Sequence, residues 1–178
     1  ITTIYEGTSE ILEMTIARDR WQQHLKSRGG YYLTAAQEMN ALAARNPNVG
    51  AATSALALEA LAGVFAACQA GRLTRNQHVL FRLGEMVANV ECAAALSRRA
   101  AAAADGTLAE KANRRFDADA LAIIARIFAR EAAMKAGEEG LRWVVGSADP
   151  ALGLDAGLAT TLRLDDIRAA QAGLVSDM

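Results

Sequence analysis

The sequence predicts an all-α protein: an up-and-down bundle of four long helices plus flanking short helices. Alanine is abundant, runs of β-branched residues are scarce, and only two prolines, Pro47 and Pro150, occur; such a composition is typical of helical proteins. Long segments with one apolar stripe each are joined by short connections, which favours a bundle. Because an amphipathic helix is marginal alone in water, burial of these stripes is expected to supply most of the stability.

The first 70 residues are predicted to form three helices. They span 8–27, 31–44 and 51–70, and they are closed by Gly29-Gly30, by the Asn46-Pro47-Asn48 turn and by Gly71. Thr8 or Ser9 can cap the first helix. Apolar residues recur at helical spacing in the first and third segments, namely Ile11, Leu12 and Ile16, and Leu61, Val64, Phe65 and Cys68.

Two longer helices and a short closing helix are predicted to follow. Thr74 is the expected N-cap of a helix that runs to about Ala104, where Asp105-Gly106-Thr107 breaks it. The next helix is predicted over about 110–145, because Ile127, Met134 and Leu141 recur every seven residues. Residues 146–157 then form a loop, residues 158–173 form a short helix, and the last residues are expected to fray.

Charge, hydropathy and cysteine content argue against several classes of protein. There are 19 basic and 20 acidic residues, so the chain lacks the basic excess of nucleic-acid-binding proteins. No apolar run approaches the roughly 20 residues that cross a bilayer. Cys68 and Cys92 are predicted to be buried free thiols in a reducing compartment. His24 and His78 are predicted to be surface or capping residues, and no metal site is expected.

One stretch near the N-terminus carries a chemical motif. Ile4-Tyr5-Glu6-Gly7-Thr8-Ser9-Glu10-Ile11 resembles the C-terminal signature of the acyl-CoA dehydrogenases, and Ile16-Ala17-Arg18 continues the resemblance. By this resemblance, residues 1–28 are the end of the dehydrogenase C-terminal bundle. Residues 29–178 are similar in layout to the added C-terminal helical domain of the very-long-chain and related large bacterial members, with segment 72–99 resembling one of its helices.

The resemblance implies a role for each residue of the motif. Glu6 corresponds to the base that removes the α-proton of a fatty acyl-CoA thioester, while FAD accepts the β-hydride to leave a trans-2-enoyl-CoA. Such a base must lie within hydrogen-bond reach of the proton. Gly7 is expected to let the backbone approach the substrate thioester, whose carbonyl the main-chain N–H of Glu6 polarises. Thr8, Ser9 and Glu10 fall where the family contacts FAD.

The resemblance also implies partners and a location. It implies a homodimer and an electron-transfer flavoprotein as electron acceptor. It also implies a bacterial-type cytoplasmic protein, with peripheral contact to the inner membrane as one of the roles left open. A basic edge is predicted near the 105–109 loop, either as a solvated bundle end or as a surface for anionic lipid or a CoA phosphate; it comprises Arg98, Arg99, Lys111, Arg114 and Arg115.

Two interpretations therefore stand. In the first, favoured by the motif and by the absence of an initiator Met, the chain is a C-terminal fragment of an FAD-dependent acyl-CoA dehydrogenase. The fragment is expected to be inactive alone, residues 1–7 to be mobile, and the stripe of Ile11, Leu12 and Ile16 to pack on the bundle or on another chain. In the second, the chain is a stand-alone helical interaction module without catalysis, and Thr3-Ile4-Tyr5-Glu6 is only a capping box.

Overall fold

The structure is a computed structural model that describes residues 8–109 and 115–178, and every regular element in these ranges is a helix. The predicted all-α class is confirmed. The α-helices are α1 (Ser9–Lys26), α2 (Gly30–Arg45), α3 (Ala51–Ala70), α4 (Gln77–Ala104), α5 (Ala118–Met134), α6 (Gly140–Ser147), α7 (Leu158–Thr161), α8 (Leu164–Ala169) and α9 (Leu174–Asp177). A π-helical segment, Lys135–Glu139, joins α5 to α6, and 3-10 turns occupy Leu73–Arg75 and Pro150–Leu152.

Helices α3 and α4 form the centre of the bundle. The short connection over 71–76 reverses the chain between them, and the buried hydroxyls of Ser54 and Ser97 meet across their interface at 2.9 Å. Helix α2 packs against α3, α1 packs against α4, and α5 packs against both central helices. The core is one continuous cluster whose largest fully buried side chains include Tyr32, Phe65 and Met39.

Helix α3 is the most extensively buried helix. Twelve of its 20 residues are buried, including the predicted stripe of Leu61, Val64, Phe65 and Cys68. It is also long and apolar enough to cross a membrane by length and composition, with a mean hydropathy of 1.7. The expectation that no segment reaches that length is therefore wrong. Because 67% of the apolar window is buried inside the bundle, the same hydropathy is expected of a helix that forms the core of a bundle.

The structure corrects where α4 and α5 begin. Thr74 lies within a 3-10 turn, and the N-cap of α4 is Asn76, whose side chain accepts the backbone N–H of His78 at 3.0 Å. Asparagine is at least as good an N-cap as threonine, and Asn76, two residues after the predicted cap, begins the helix. Helix α5 begins at Ala118 and not near 110, because the Asp117 carboxylate caps it by accepting the N–H of Ala120 at 2.8 Å.

The closing segment also differs from its prediction. In place of one helix over 158–173 there are two short helices, α7 and α8, separated where Arg163 adopts a left-handed conformation with φ 56°. The guanidinium of Arg163 pairs with Glu59 of α3 and with Asp166. These ion pairs help to hold the residue in its less favoured backbone conformation. The preceding long helical segment ends at Ser147, after the π-helical interruption.

Two residues are buried differently from expectation. His24, predicted at the surface, is only 3% exposed because its ring stacks on Trp21 and packs against Phe65, while Nε2 lies 3.2 Å from Gln69. Cys92, predicted to be buried, is exposed, whereas Cys68 is buried as predicted. Burial raises the pKa of the Cys68 thiol to about 12.

The predicted fraying of the C-terminal residues is not seen. They form α9, and an ionic clasp holds this helix against α5. Asp177 accepts hydrogen bonds from the guanidinium groups of Arg126 and Arg130 on α5. Arg130 also donates to the carbonyls of Ala170 at 2.9 Å and Ala172 at 3.0 Å. The two hydrogen-bonded guanidinium groups hold the pKa of Asp177 well below its usual range.

We expect Asp177→Asn to lower the free energy of unfolding by about 1 kcal/mol at neutral pH, because the pairs lie near the surface. The contribution of Asp177 should be fully present above its unfolded-state pKa of about 3.9. It should be lost as the pH falls below that value toward the lower native pKa. Urea unfolding should therefore show a gap between wild type and variant that narrows toward about pH 3. Asp165→Asn, at a fully exposed side chain, is the matched control; a pH-independent gap would contradict the clasp.

Candidate functional site

The described part of the dehydrogenase-like motif lies at the exposed start of α1. Thr8, Ser9 and Glu10 are all exposed, and Thr8 is the N-cap with extended backbone angles. The side chain of Thr8 makes no capping hydrogen bond; its carbonyl accepts the N–H groups of Ile11 and Leu12. The positive end of the helix dipole therefore faces solvent beside small polar side chains, an arrangement suited to oxygen-rich or anionic groups. Glu6 and Gly7 lie outside the described residues, as does the predicted mobility of 1–7.

Direct backbone contact anchors the first turns of α1 to α4. A Cβ atom built on Gly84 of α4 would fall on the carbonyl of Glu13, well inside van der Waals contact. Only glycine leaves room for the two helices to touch at this point. Seven residues further along each helix, Arg20 of α1 pairs with Glu91 of α4, so α1 and α4 run parallel.

Glu91 joins three helices. It accepts two hydrogen bonds from the Arg20 guanidinium, the one from Nη2 at 2.8 Å, and a third from the hydroxyl of Tyr32 on α2 at 3.1 Å. Tyr32 is 1% exposed. Its burial and the neighbouring Glu91 charge raise the pKa of Tyr32 well above its usual range, so the phenol stays a donor. One carboxylate, that of Glu91, therefore ties both α1 and α2 to α4.

A charged cluster flanks the contact at Gly84. Glu85 accepts hydrogen bonds from Arg82 at 3.0 Å and pairs with Lys135 at 2.7 Å, and these cations lower its pKa. Glu13 has a raised pKa, first because of burial and second because of the Glu85 charge. The start of α1, the start of α4 and the π-helical segment therefore share one electrostatic environment.

The apolar stripe of α1 packs on the bundle only in part. Ile16 packs against the core, whereas Ile11 and Leu12 are 53% and 54% exposed. The prediction that the stripe packs on the bundle holds for Ile16 alone, and packing of Ile11 and Leu12 on another chain stays a prediction. A groove of about 470 Å³ runs between the two helices. Its lining comprises Thr15, Ile16, Asp19, Arg20, Ala88, Glu91, Cys92 and Ala95.

The predicted basic edge is only partly described. Arg98 is exposed and pairs with Glu38 of α2 at 3.1 Å, while Lys111 and Arg114 lie outside the described residues. Within residues 8–109 and 115–178, no group of three or more His, Cys, Asp and Glu side chains could hold a metal ion.

A second cluster joins residues that the sequence pattern did not associate. His78 and Arg82 of α4 meet Arg142 and Trp143 of α6. The only signal in the sequence was the i, i+4 spacing of His78 and Arg82, which places them on one face of a helix. Their partners on α6 lie about 60 residues away along the chain and could not be paired with them without the fold.

The fold defines the class of this molecule as an all-α helical bundle. Comparisons of the chain with protein-family models, with curated proteins and with solved structures found no match. A family assignment therefore depends on the motif of residues 4–11, of which the structure describes the part that opens α1.

We expect Gly84→Ala to destabilise the protein by about 2 kcal/mol, because overpacking at a backbone contact outweighs the gain in helix propensity. Urea unfolding measures the loss, and hydrogen exchange should show α1 opening first. Gly146→Ala is the matched control: a Cβ there meets nothing within 4 Å, so that variant should be neutral or slightly more stable. A Gly84→Ala protein as stable as wild type would contradict the contact.

We also expect two isoleucines of α1 to respond differently to truncation. Ile16→Ala should lower the free energy of unfolding by about 1–2 kcal/mol, since Ile16 is partly buried on the core. Ile11→Ala should change it by less than about 0.5 kcal/mol, as at other exposed sites. The two substitutions remove the same atoms from the same helix, so each is the control for the other. Equal losses of the free energy of unfolding, measured by urea unfolding, would show that Ile11 is buried.

Proposed function

We propose that this chain is the C-terminal region of an FAD-dependent acyl-CoA dehydrogenase that converts a fatty acyl-CoA to the trans-2-enoyl-CoA. The observation that carries the proposal is the octapeptide Ile4–Ile11, whose residues are of mixed chemical type and match the family signature in sequence. The continuous α1 that begins at Ser9 is consistent with it, because the motif then leads directly into a helix.

In this proposal Glu6 is the catalytic base. Its carboxylate takes the α-proton of the thioester, and the main-chain N–H of Glu6 donates to the thioester carbonyl, which gains negative charge as the proton leaves. Gly7 has no side chain to obstruct the approach of the substrate. FAD, when bound, supplies the acceptor for the β-hydride, so proton and hydride leave adjacent carbons and a trans double bond remains.

Thr8, Ser9 and Glu10 are proposed to contact FAD. Their fit can be judged from α1: all three side chains are exposed, Thr8 makes no side-chain capping bond, and the N–H groups of a helix's first turn suit oxygen acceptors. These residues form only one edge of a cofactor site. The rest of the site belongs, by the resemblance, to an N-terminal helical domain and a β-domain, so we propose that the chain alone is inactive.

The helical region after α1 is proposed to serve assembly. Exposed Ile11 and Leu12 are suited to burial against the dehydrogenase core or a second subunit, consistent with a homodimer. An electron-transfer flavoprotein is the proposed electron acceptor. A cytoplasmic location, with the helical region contacting the inner membrane peripherally, completes the proposal.

A stand-alone interaction module is the second candidate, and one observation favours it. Helix α1 is anchored within the bundle by Gly84 and Glu91, so the described residues 8–109 and 115–178 share one core. In that case the residues before α1 are only a lead-in, and no flavin chemistry is expected.

The test begins with the native polypeptide, recovered from its source cells with an antibody against this chain. We expect a denatured mass several-fold above 18.8 kDa, which would show an attached dehydrogenase core. In that protein, Glu6→Gln should abolish reduction of FAD by acyl-CoA while FAD stays bound, because the amide cannot accept the α-proton.

Glu38→Gln is the matched control, since Glu38 is an exposed residue whose only described pair is with Arg98; it should reduce FAD at the wild-type rate. A native mass near 18.8 kDa would exclude the dehydrogenase and leave the interaction module. Retained flavin reduction in Glu6→Gln would exclude Glu6 as the base.

A further inference from the structure

Three cationic or ionisable side chains surround one indole at the start of α4. The ring of His78 meets Trp143 edge-on with centroids 4.7 Å apart. The guanidinium carbons of Arg82 and Arg142 lie 5.5 Å and 4.9 Å from the centroid of the same ring. Cation–π contacts of this kind restrict the arginine side chains before any ligand arrives.

Two hydrogen-bond donors in this cluster have no acceptor. Arg82 Nε and Trp143 Nε1 are buried and have no hydrogen-bond partner; only His24 Nδ1 shares this state among the side chains that the structure describes. An unsatisfied buried donor costs free energy, so such groups are rare and call for an explanation. Two of these three atoms belong to this cluster, and the Arg82 side chain is 41% exposed as a whole, so an acceptor from outside the chain can approach its guanidinium at the surface.

The charge around the cluster indicates the sign of that acceptor. Arg82 uses Nη1 for Glu85, whereas Arg142 has no ion pair within the described residues. The preceding stretch from Gly71 to Arg82 contains Arg72 and Arg75 and no acidic residue. An anion is therefore favoured over a neutral acceptor.

We propose that His78, Arg82, Arg142 and Trp143 bind a phosphate group. A phosphate offers several oxygen acceptors, which suits guanidinium, indole and imidazole donors held around one ring by two helices. Its source is either a free phosphate compound or a phospholipid headgroup, and both present the same oxyanion. None of these four residues belongs to the proposed FAD contact, and the inference does not depend on the dehydrogenase proposal.

The experiment is an NMR titration of the protein with sodium pyrophosphate at constant ionic strength. The chain has two tryptophans, so two indole N–H signals report on it, and Trp143→Phe assigns them. We expect a saturable shift of the Trp143 signal, while that of Trp21 stays in place. Arg142→Gln should weaken binding at least tenfold, because it removes a guanidinium that makes no ion pair within the described residues.

Arg45→Gln is the matched control for net charge, since Arg45 ends α2 near the opposite end of α4; it should change binding less than twofold. Circular dichroism and thermal unfolding establish that both variants are folded. Vesicles of phosphatidylcholine with and without phosphatidylglycerol identify the source: binding of the anionic vesicles but not of pyrophosphate assigns a lipid headgroup. Saturable binding of neither, or equal weakening by the two variants, would overturn the proposal.

Discussion

Close approach of helix backbones, made possible by glycine and alanine, is the constraint on which the rest of this structure depends. Nine of the twenty residues of α3 are alanine, and small side chains let a central helix be approached from several sides at once. At Gly140, as at Gly84, an added Cβ would collide with its neighbour, here the side chain of Val64. Each small residue buries little area, so stability must come from many short contacts distributed over the bundle.

Helix α4 holds α1 and α2 in place. Its first half receives α1 at Gly84, and Glu91 then binds both Arg20 of α1 and Tyr32 of α2. A close backbone contact limits translation of α1, while the forked pairing of Arg20 with Glu91 limits its rotation.

The fold class and the limits of α2 and α3 could be predicted from the sequence, because glycine and proline bound them and α3 is apolar along its whole length. The buried face of α5 could not. Its fully buried positions are Leu121 and the alanines that follow at helical spacing, such as Ala125 and Ala129, whereas Ile123 is 36% exposed. Where alanine forms the core, hydrophobicity no longer marks the inner face. The motif could be recognised from the sequence alone. The cluster around Trp143 could not, because it joins segments that are distant along the chain.

Arg82 connects the cluster around Trp143 to the start of α1. Its guanidinium lies over Trp143, donates to Glu85, and lowers the pKa of Glu13, opposing the rise that burial and Glu85 cause there. An oxyanion bound at Arg82 would offset that positive charge. The pKa of Glu13 would then rise further, since less cationic charge would stabilise its carboxylate. Glu13 contacts Gly84 on α4. A charge bound at the proposed phosphate site would therefore act on α1 through one residue, Glu13.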